Sequence, residues 1–283
     1  MGLLQPSLFM RHLCLVLLCF SLGPAVARAS CGMPQPEPLD LAAVDERLEV
    51  TLRDGRRLRL AGIEPPPLTQ AEPNRPQQAQ AQLSNWLRGV SLRAQWLSPQ
   101  ADRWNRWPVR LYAAGRDGQW MSVAEALVDA GLVRVAIDPL ARPCLGDLLQ
   151  LEEGARKAEL GLWRDPDLKV LPADNRTLLL TQVGRSVIIE GRVEGTGEGR
   201  TRLYVNFGRR RAMDFSAVLL RKQQTSFGAA GVNLSDLTGK ILRIRGLLES
   251  RTGPQMMLHD PEAVEITGAG KAVSPKSGLS IQP

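Results

Sequence analysis

Histidine is almost missing from this chain. Two occur in 283 residues, and only His259, in a His259-Asp260-Pro261 turn, lies outside the apolar N-terminal segment. Imidazole is the commonest general base near neutral pH and a common zinc ligand. The composition therefore argues against a Ser-His-Asp hydrolase and against a histidine-rich metal centre. The four cysteines form no Cys-x-x-Cys pair, which removes the usual zinc-ribbon and redox spacings. There is no glycine-rich phosphate loop and no heptad run. After residue 29 no stretch is long and apolar enough to span a bilayer. Any chemistry is left to carboxylates, arginines and a hard cation.

What is present begins with residues 1–29. Arg11 and His12 precede an apolar run from Leu13 to Phe20, and Ala27-Arg28-Ala29 follows as a small-x-small site. The pattern predicts a secretory signal peptide cleaved near Ala29-Ser30, and hence a secreted or periplasmic protein. An uncleaved anchor and a lipoprotein form beginning at Cys31 are the alternatives, although Arg28-Ala29-Ser30 lacks the apolar residue expected before a lipidated cysteine. Cys14 and Cys19 leave with the signal. Cys31 and Cys144 remain, and an even count in an exported chain points to one disulfide between them. Cleavage removes two arginines and no acid, lowering the formal charge from +7 to +5. Arginine supplies 30 of the 36 basic residues, and its planar fork matches phosphate oxygens.

The remaining length suits two small domains. A Pro/Asp-containing break from Asp165-Pro166 to Pro172-Ala173-Asp174 separates them. We expect one domain over 30–168, a linker with a short helix over 169–184, a β-rich domain over 185–267 and a disordered tail over 268–283. In the first half, Leu48 to Leu52 alternates into the hairpin signal Arg53-Asp54-Gly55-Arg56, and Arg57 to Ile63 returns as a strand. Glu64 to Pro76 is Pro-rich and irregular. Periodicity predicts helices over 77–88, 121–130 and 145–160, with strands over 91–97 and 107–113. Gly131 is the expected C-cap of the second helix. Strands mixed with three helices give a small α+β barrel.

The second half alternates over 186–194, 202–207, 212–220, 241–248 and 255–258, with a short run at 263–266 and a helical patch near 222–230. That order fits a second small OB-like β-barrel, with another small barrel or sandwich as the alternative.

Two arginine-bearing segments carry the functional signal: Arg57-Leu58-Arg59-Leu60-Ala61-Gly62-Ile63-Glu64-Pro65-Pro66-Pro67 and Asp102-Arg103-Trp104-Asn105-Arg106. Val123 to Leu132, Glu152-x-x-Ala155-Arg156 and Gly161-Leu162-Trp163 follow in order. With them, residues 41–165 resemble a staphylococcal nuclease (thermonuclease) domain. The resemblance implies an OB-type barrel with three helices and calcium-assisted phosphodiester hydrolysis. In that scheme two aspartates hold calcium, a glutamate prepares water and two arginines bind the phosphate. Fixed guanidinium groups favour the extra charge of the pentacoordinate transition state.

Carried across by position, Arg59 and Arg106 match the two arginines. Glu64 stands at one calcium aspartate and Glu46, in Asp45-Glu46-Arg47, at the other. Each is one methylene longer. A small shift of register would bring Asp45 or Glu49 to the site instead. Pro67 stands where the general base belongs and carries no proton, while Glu72 lies in the same Pro-rich loop. Bland roles stand beside these: Arg59 as an outward strand residue, Arg106 paired with Asp102, and Glu64 and Glu46 as solvated acids. The tryptophans Trp86, Trp96, Trp104, Trp107 and Trp120 read as core and rim packing or as a base-stacking platform, and Arg209-Arg210-Arg211 as a solvated turn or a phosphate contact.

Three functions follow. One is a degraded nuclease that still binds DNA or RNA. A second is an active phosphodiesterase with a rearranged carboxylate set and calcium. The third is an inactive nuclease-fold module that binds an envelope protein.

Overall fold

Leu58 and Leu60 are buried while Arg57 and Arg59 between them face outward. This alternation, repeated on neighbouring strands, builds the first half of the chain. The structure, a computed structural model, describes residues 31, 37–69, 71–210 and 213–269. The expected signal peptide over 1–29 lies outside the described residues, as does the expected tail beyond Ala269.

The first unit runs β1 (Leu41–Val44), β2 (Val50–Leu52), β3 (Arg57–Leu60), β4 (Ile63–Glu64), α1 (Arg75–Leu87), β5 (Leu92–Trp96), β6 (Arg106–Ala114), β7 (Trp120–Ser122), α2 (Val123–Asp129), β8 (Arg134–Val135) and α3 (Leu145–Lys157). Its main sheet has the order β1-β2-β3-β6-β5, with β3 and β6 parallel and β7 beside β6. An antiparallel bridge from Leu39 to Leu92 joins the stretch before β1 to β5. That bridge closes the five-strand path on itself, as the resemblance implies. The interior is filled by Val50, Leu52, Leu58, Leu60, Val109 and Leu111, with Leu83 and Leu87 of α1 over one end.

Several local readings need adjusting. The strand expected from Leu48 starts at Val50, because Leu48 takes a left-handed backbone with φ 58°. Trp120 to Ser122 is a strand, and Ser122 caps α2 by accepting the Glu125 N–H. Residues 41–44 form a strand that the sequence does not signal. Its sequence, Leu-Ala-Ala-Val, has little strand propensity, and pairing with β2 overrides it.

The ends of α2 and α3 meet at two glycines. Gly131 and Gly161 both have positive φ, and a Cβ on Gly161 would stand 2.2 Å from the Gly131 carbonyl oxygen. Only glycine permits this approach.

The second unit runs β9 (Leu171–Pro172), α4 (Arg176–Thr181), β10 (Ser186–Arg192), β11 (Gly195–Glu198), β12 (Arg202–Asn206), β13 (Ser216–Leu220), α5 (Gln224–Ala229), β14 (Ile241–Ser250), β15 (Pro254–Leu258) and β16 (Val264–Gly268). The sheet order is β11-β12-β13-β15-β14-β10-β9, with β16 beside β14. Strands β13 and β15 are parallel. The stretch over 169–184, expected as a linker, belongs to this unit. β9 pairs with β10, and Leu171, Ala173 and Leu179 enter its core. The strand expected over 212–220 begins at Ser216, with 211 and 212 outside the described residues. Gly-Thr-Gly-Glu is a poor strand former, and β11 is held by its pairing with β12.

The two units meet through α3 and the β4–β8 pair. Ala155, Leu162, Trp163 and Leu168 of the first pack on Ile188 of the second. Among the described residues no helix is long and apolar enough to cross a membrane.

Asp165 fixes the Pro-rich loop to this region. Its Oδ2 accepts from Thr69 Oγ1 at 2.7 Å and from Arg75 Nη2 at 2.8 Å. Burial works against the charge on Asp165, but these bonds and the Asp167 N–H outweigh it and hold the carboxyl below its ordinary value. A carboxyl depressed on folding contributes stability above its unfolded value of about 3.9, lost as pH falls through the folded value. Asp165→Asn is therefore expected to be less stable than wild type at neutral pH. The gap should narrow below about pH 4, as the unfolded-state carboxyl takes up its proton. Thermal melting between acid and neutral pH checks this, and a gap that widens toward acid would contradict it.

Candidate functional site

The outer face of β2, β3 and the start of β6 carries a row of arginines. Arg57 and Arg59 lie two residues apart on β3 and so share a face. Arg57 stands opposite Arg106 in the parallel β3–β6 register. Arg106 is placed by the turn before β6. There Asn105 adopts φ 59°, and Asp102 Oδ1 accepts the N–H groups of Trp104 and Arg106. Asparagine tolerates this backbone better than most residues.

Each of these arginines already has a carboxylate of the same chain. Arg106 donates from Nε and Nη2 to Asp102 Oδ2 at 2.9 and 2.8 Å, and from Nη1 to Glu49 Oε1 at 2.8 Å. Arg57 pairs with the other oxygen of Glu49. Arg59 Nη1 meets Asp138 Oδ2 at 2.7 Å. Glu49 is only 4 % exposed and sits between the guanidinium groups of Arg57 and Arg106. Asp102 is held below the ordinary carboxylate range. Partial burial opposes its charge, and the bonds from Arg106 and the Trp104 N–H overcome it. Arg106 is in turn raised by its bond to Asp102. The pairing with Asp102 expected for Arg106 as a structural residue is thus present.

Trp104 is 54 % exposed, with the Arg103 guanidinium 3.9 Å and that of Arg106 4.7 Å from its ring centre. It is a rim residue. Trp96 and Trp107 pack edge to face at 5.6 Å, as core-and-rim packing requires.

The carboxylates expected to hold calcium are not gathered here. Glu64, at the end of β4, gives Oε1 to Arg134 Nη2 at 2.7 Å, and Arg134 Nη1 donates to the Ser186 carbonyl of the second unit at 3.0 Å. Glu64 thus belongs to the joint between the units. Glu46 is an exposed residue of the turn before β2. Asp45 spends Oδ1 on the N–H groups of Arg47 and Glu49. Glu72 is exposed, with its N–H on Thr69 Oγ1. Among the described residues no three His, Cys, Asp or Glu side chains form a set able to hold a metal ion. Calcium needs six to eight oxygen ligands. The donors present do not fit it.

Cys31 and Cys144 are joined, with Cα atoms 5.3 Å apart. The bond ties the stretch before β1 to the start of α3.

Two residues of this face were missed in the sequence, Arg57 and Asp138. Strand alternation from Arg59 could have found Arg57. Nothing local marks Asp138, which is 79 positions from its partner.

A family model described as staphylococcal nuclease homologue matches residues 57–165. The chain carries a staphylococcal nuclease-like domain. The match begins at Arg57, so it takes in Arg59, Glu64, Pro67 and Arg106 of the nuclease-like domain and leaves Glu46 and Glu49 outside. No curated protein matches the chain.

Proposed function

We propose that this is an exported binding protein built on a nuclease fold, and that its nuclease-like domain does not hydrolyse phosphodiesters by the calcium route. One observation carries the reading: Arg59 and Arg106 are bonded to Asp138, Asp102 and Glu49, while Glu64 is engaged by Arg134. A phosphate entering this face must displace buried carboxylates from their partners. The general base is also gone, replaced by Pro67, a loss of roughly 10²–10⁴-fold by itself. Export is supported by the leader-like pattern of residues 1–29 and by the Cys31–Cys144 bond, which suits an oxidising compartment.

We read the second unit as an OB-type barrel. β10 and β11 are successive segments of one strand interrupted at residues 193–194, so the path β11-β12-β13-β15-β14-β10 returns to the stretch of chain it began on, with β9 added at the edge beside β10. The parallel β13–β15 pair and α5 between β13 and β14 agree with this reading.

The test is incubation of the disulfide-bonded protein with denatured DNA and with RNA, in calcium or chelator. No calcium-dependent cleavage is expected, and Pro67→Glu is expected to add none, since a base without the metal and a free phosphate site has nothing to act on. Calcium-dependent cleavage that disappears in Arg59→Ala and Arg106→Ala would overturn the proposal and favour an active phosphodiesterase.

A further inference from the structure

A groove of 400 Å³ crosses the outside of the second unit, over β11, β12 and the turn between β14 and β15. Its charge is unevenly spent. The acids at its edge are paired: Glu198 with Arg221 at 3.0 Å and Asp214 with Arg210 at 2.9 Å. Two lining arginines, Arg202 on β12 and Arg251 in the β14–β15 turn, have no ion pair or side-chain hydrogen bond among the described residues. The groove therefore presents two unspent guanidinium groups and no unspent carboxylate. This is the reverse of the nuclease-like face, where Arg57, Arg59 and Arg106 are each paired with a carboxylate of the same chain.

The groove also has a ring. Tyr204 lies between Arg202 and the buried Asn206 along β12, half-buried. The strand beside it is nearly bare. Gly197 stands opposite Tyr204 in the β11–β12 register, and a Cβ built on Gly199 would come 3.5 Å from Tyr204 Cε2. Glycine at 197 and 199 leaves the ring uncovered. At the far wall, Gln255 Nε2 is shielded from solvent and has no hydrogen-bond partner. Buried amides are normally bonded, and turning this half-buried side chain toward the groove would offer its donor a ligand acceptor.

Unspent cations, a bare aromatic ring and an unused amide donor match a chain that alternates anionic linkers with flat rings and carbonyl groups. We propose that this groove binds single-stranded nucleic acid. Arg202 and Arg251 would meet phosphates, Tyr204 would stack a base and Gln255 would donate to a base or sugar oxygen. A neutral oligosaccharide could use the ring and the amide but gains nothing from the two arginines. The inference goes beyond the proposed function and does not depend on it, since cleavage elsewhere on the chain would leave this groove and its variants unchanged.

The experiment is fluorescence anisotropy of a labelled oligo(dT) and a labelled oligo(U), each about 15 nucleotides, with the intact disulfide-bonded protein in chelator and across a salt series. Binding is expected to weaken with salt. Arg202→Ala/Arg251→Ala should flatten the slope of log affinity on log salt by about 1.4, from about 0.7 per phosphate contact on a single strand. Tyr204→Ala should weaken binding roughly ten- to a hundredfold, while Tyr204→Phe keeps the ring and most of the affinity. Arg116→Ala, an exposed arginine on the first unit, should change little. Circular dichroism of each variant separates lost binding from lost fold. The proposal is overturned by no binding of wild type at low salt. It is equally overturned by binding that survives all three groove substitutions and falls instead with Arg59→Ala or Arg106→Ala. Salt-independent competition by a neutral chitin oligosaccharide that abolishes the signal would assign the groove to sugar and overturn it too.

Discussion

Replacing Arg245 by alanine is expected to lower the unfolding free energy by about 3–5 kcal/mol, the usual cost of leaving a buried charge without its partner. Glu152 is fully buried on α3, and its Oε2 lies 2.7 Å from Arg245 Nη2 on β14. Its other oxygen accepts the Val135 N–H at 2.8 Å, while Arg245 Nη1 donates to the Val135 carbonyl at 3.3 Å. Arg245 also reaches Glu265 at 3.0 Å. One guanidinium thus holds a helix of the first unit, the β8 backbone of the first and two strands of the second. Removing it strands Glu152 in a place with no water to solvate it. Arg156 supplies a second positive charge near Glu152, which places the effect toward the lower end of that range. The double variant Glu152→Leu/Arg245→Met should recover part of the loss. The remainder should be about 1–3 kcal/mol, for the Val135 N–H left without an acceptor. Urea denaturation of the three proteins checks both statements. A loss under about 1 kcal/mol for Arg245→Ala would mean that the joint is wet and the two units are weakly coupled.

The Cys31–Cys144 bond carries the second large effect. It closes a loop of 113 residues, and cross-linking so long a loop restricts the unfolded chain by about 4–5 kcal/mol on the chain-entropy model. Cys31→Ala/Cys144→Ala is expected to lose most of that. Cys31 is anchored in the folded state as well, its carbonyl accepting from Arg110 Nη1 at 3.1 Å, so the bond holds a segment that already has a seat. Urea midpoints with and without reductant check this. The wild-type midpoint should fall on reduction to that of the double variant. An unchanged midpoint, with free-thiol titration confirming reduction, would contradict it.

The elements that could be read in the sequence are those whose signals are local. Leu58 and Leu60 alternate with Arg57 and Arg59, Asp54-Gly55 marks its hairpin, Gly131 ends α2, and the apolar face of α1 repeats at helical spacing. Cysteine arithmetic gave the disulfide, because only one pairing remained. The elements that could not be read depend on partners far along the chain. β1 and β11 have weak propensity and exist because β2 and β12 pair with them. The stretch over 169–184 looked like a connector because Pro172 and Asp174 break it. Yet Leu171 and Leu179 are core residues of the second unit.

The candidate site divides in the same way. Arg59 and Arg106 were identified by their motif and stand on one barrel face. Their neutralisation by Asp138 and Glu49 spans 79 and 57 positions and leaves no local trace. The role of Glu64 was equally hidden. Its residue type suits a metal, and only the approach of Arg134 and Ser186 shows that its carboxylate is engaged between the two units.

Isothermal calorimetry of calcium into the intact, disulfide-bonded protein tests the central claim most directly, because it asks about the site without needing a substrate. With Arg59 and Arg106 paired internally and Glu64 held by Arg134, the account predicts no saturable heat up to about 1 mM calcium, the weak end of protein calcium sites, and no change in melting temperature. Saturable binding with a raised melting temperature, lost in Glu64→Gln, would show that the carboxylates leave their arginines to form a metal site, and the account would fail.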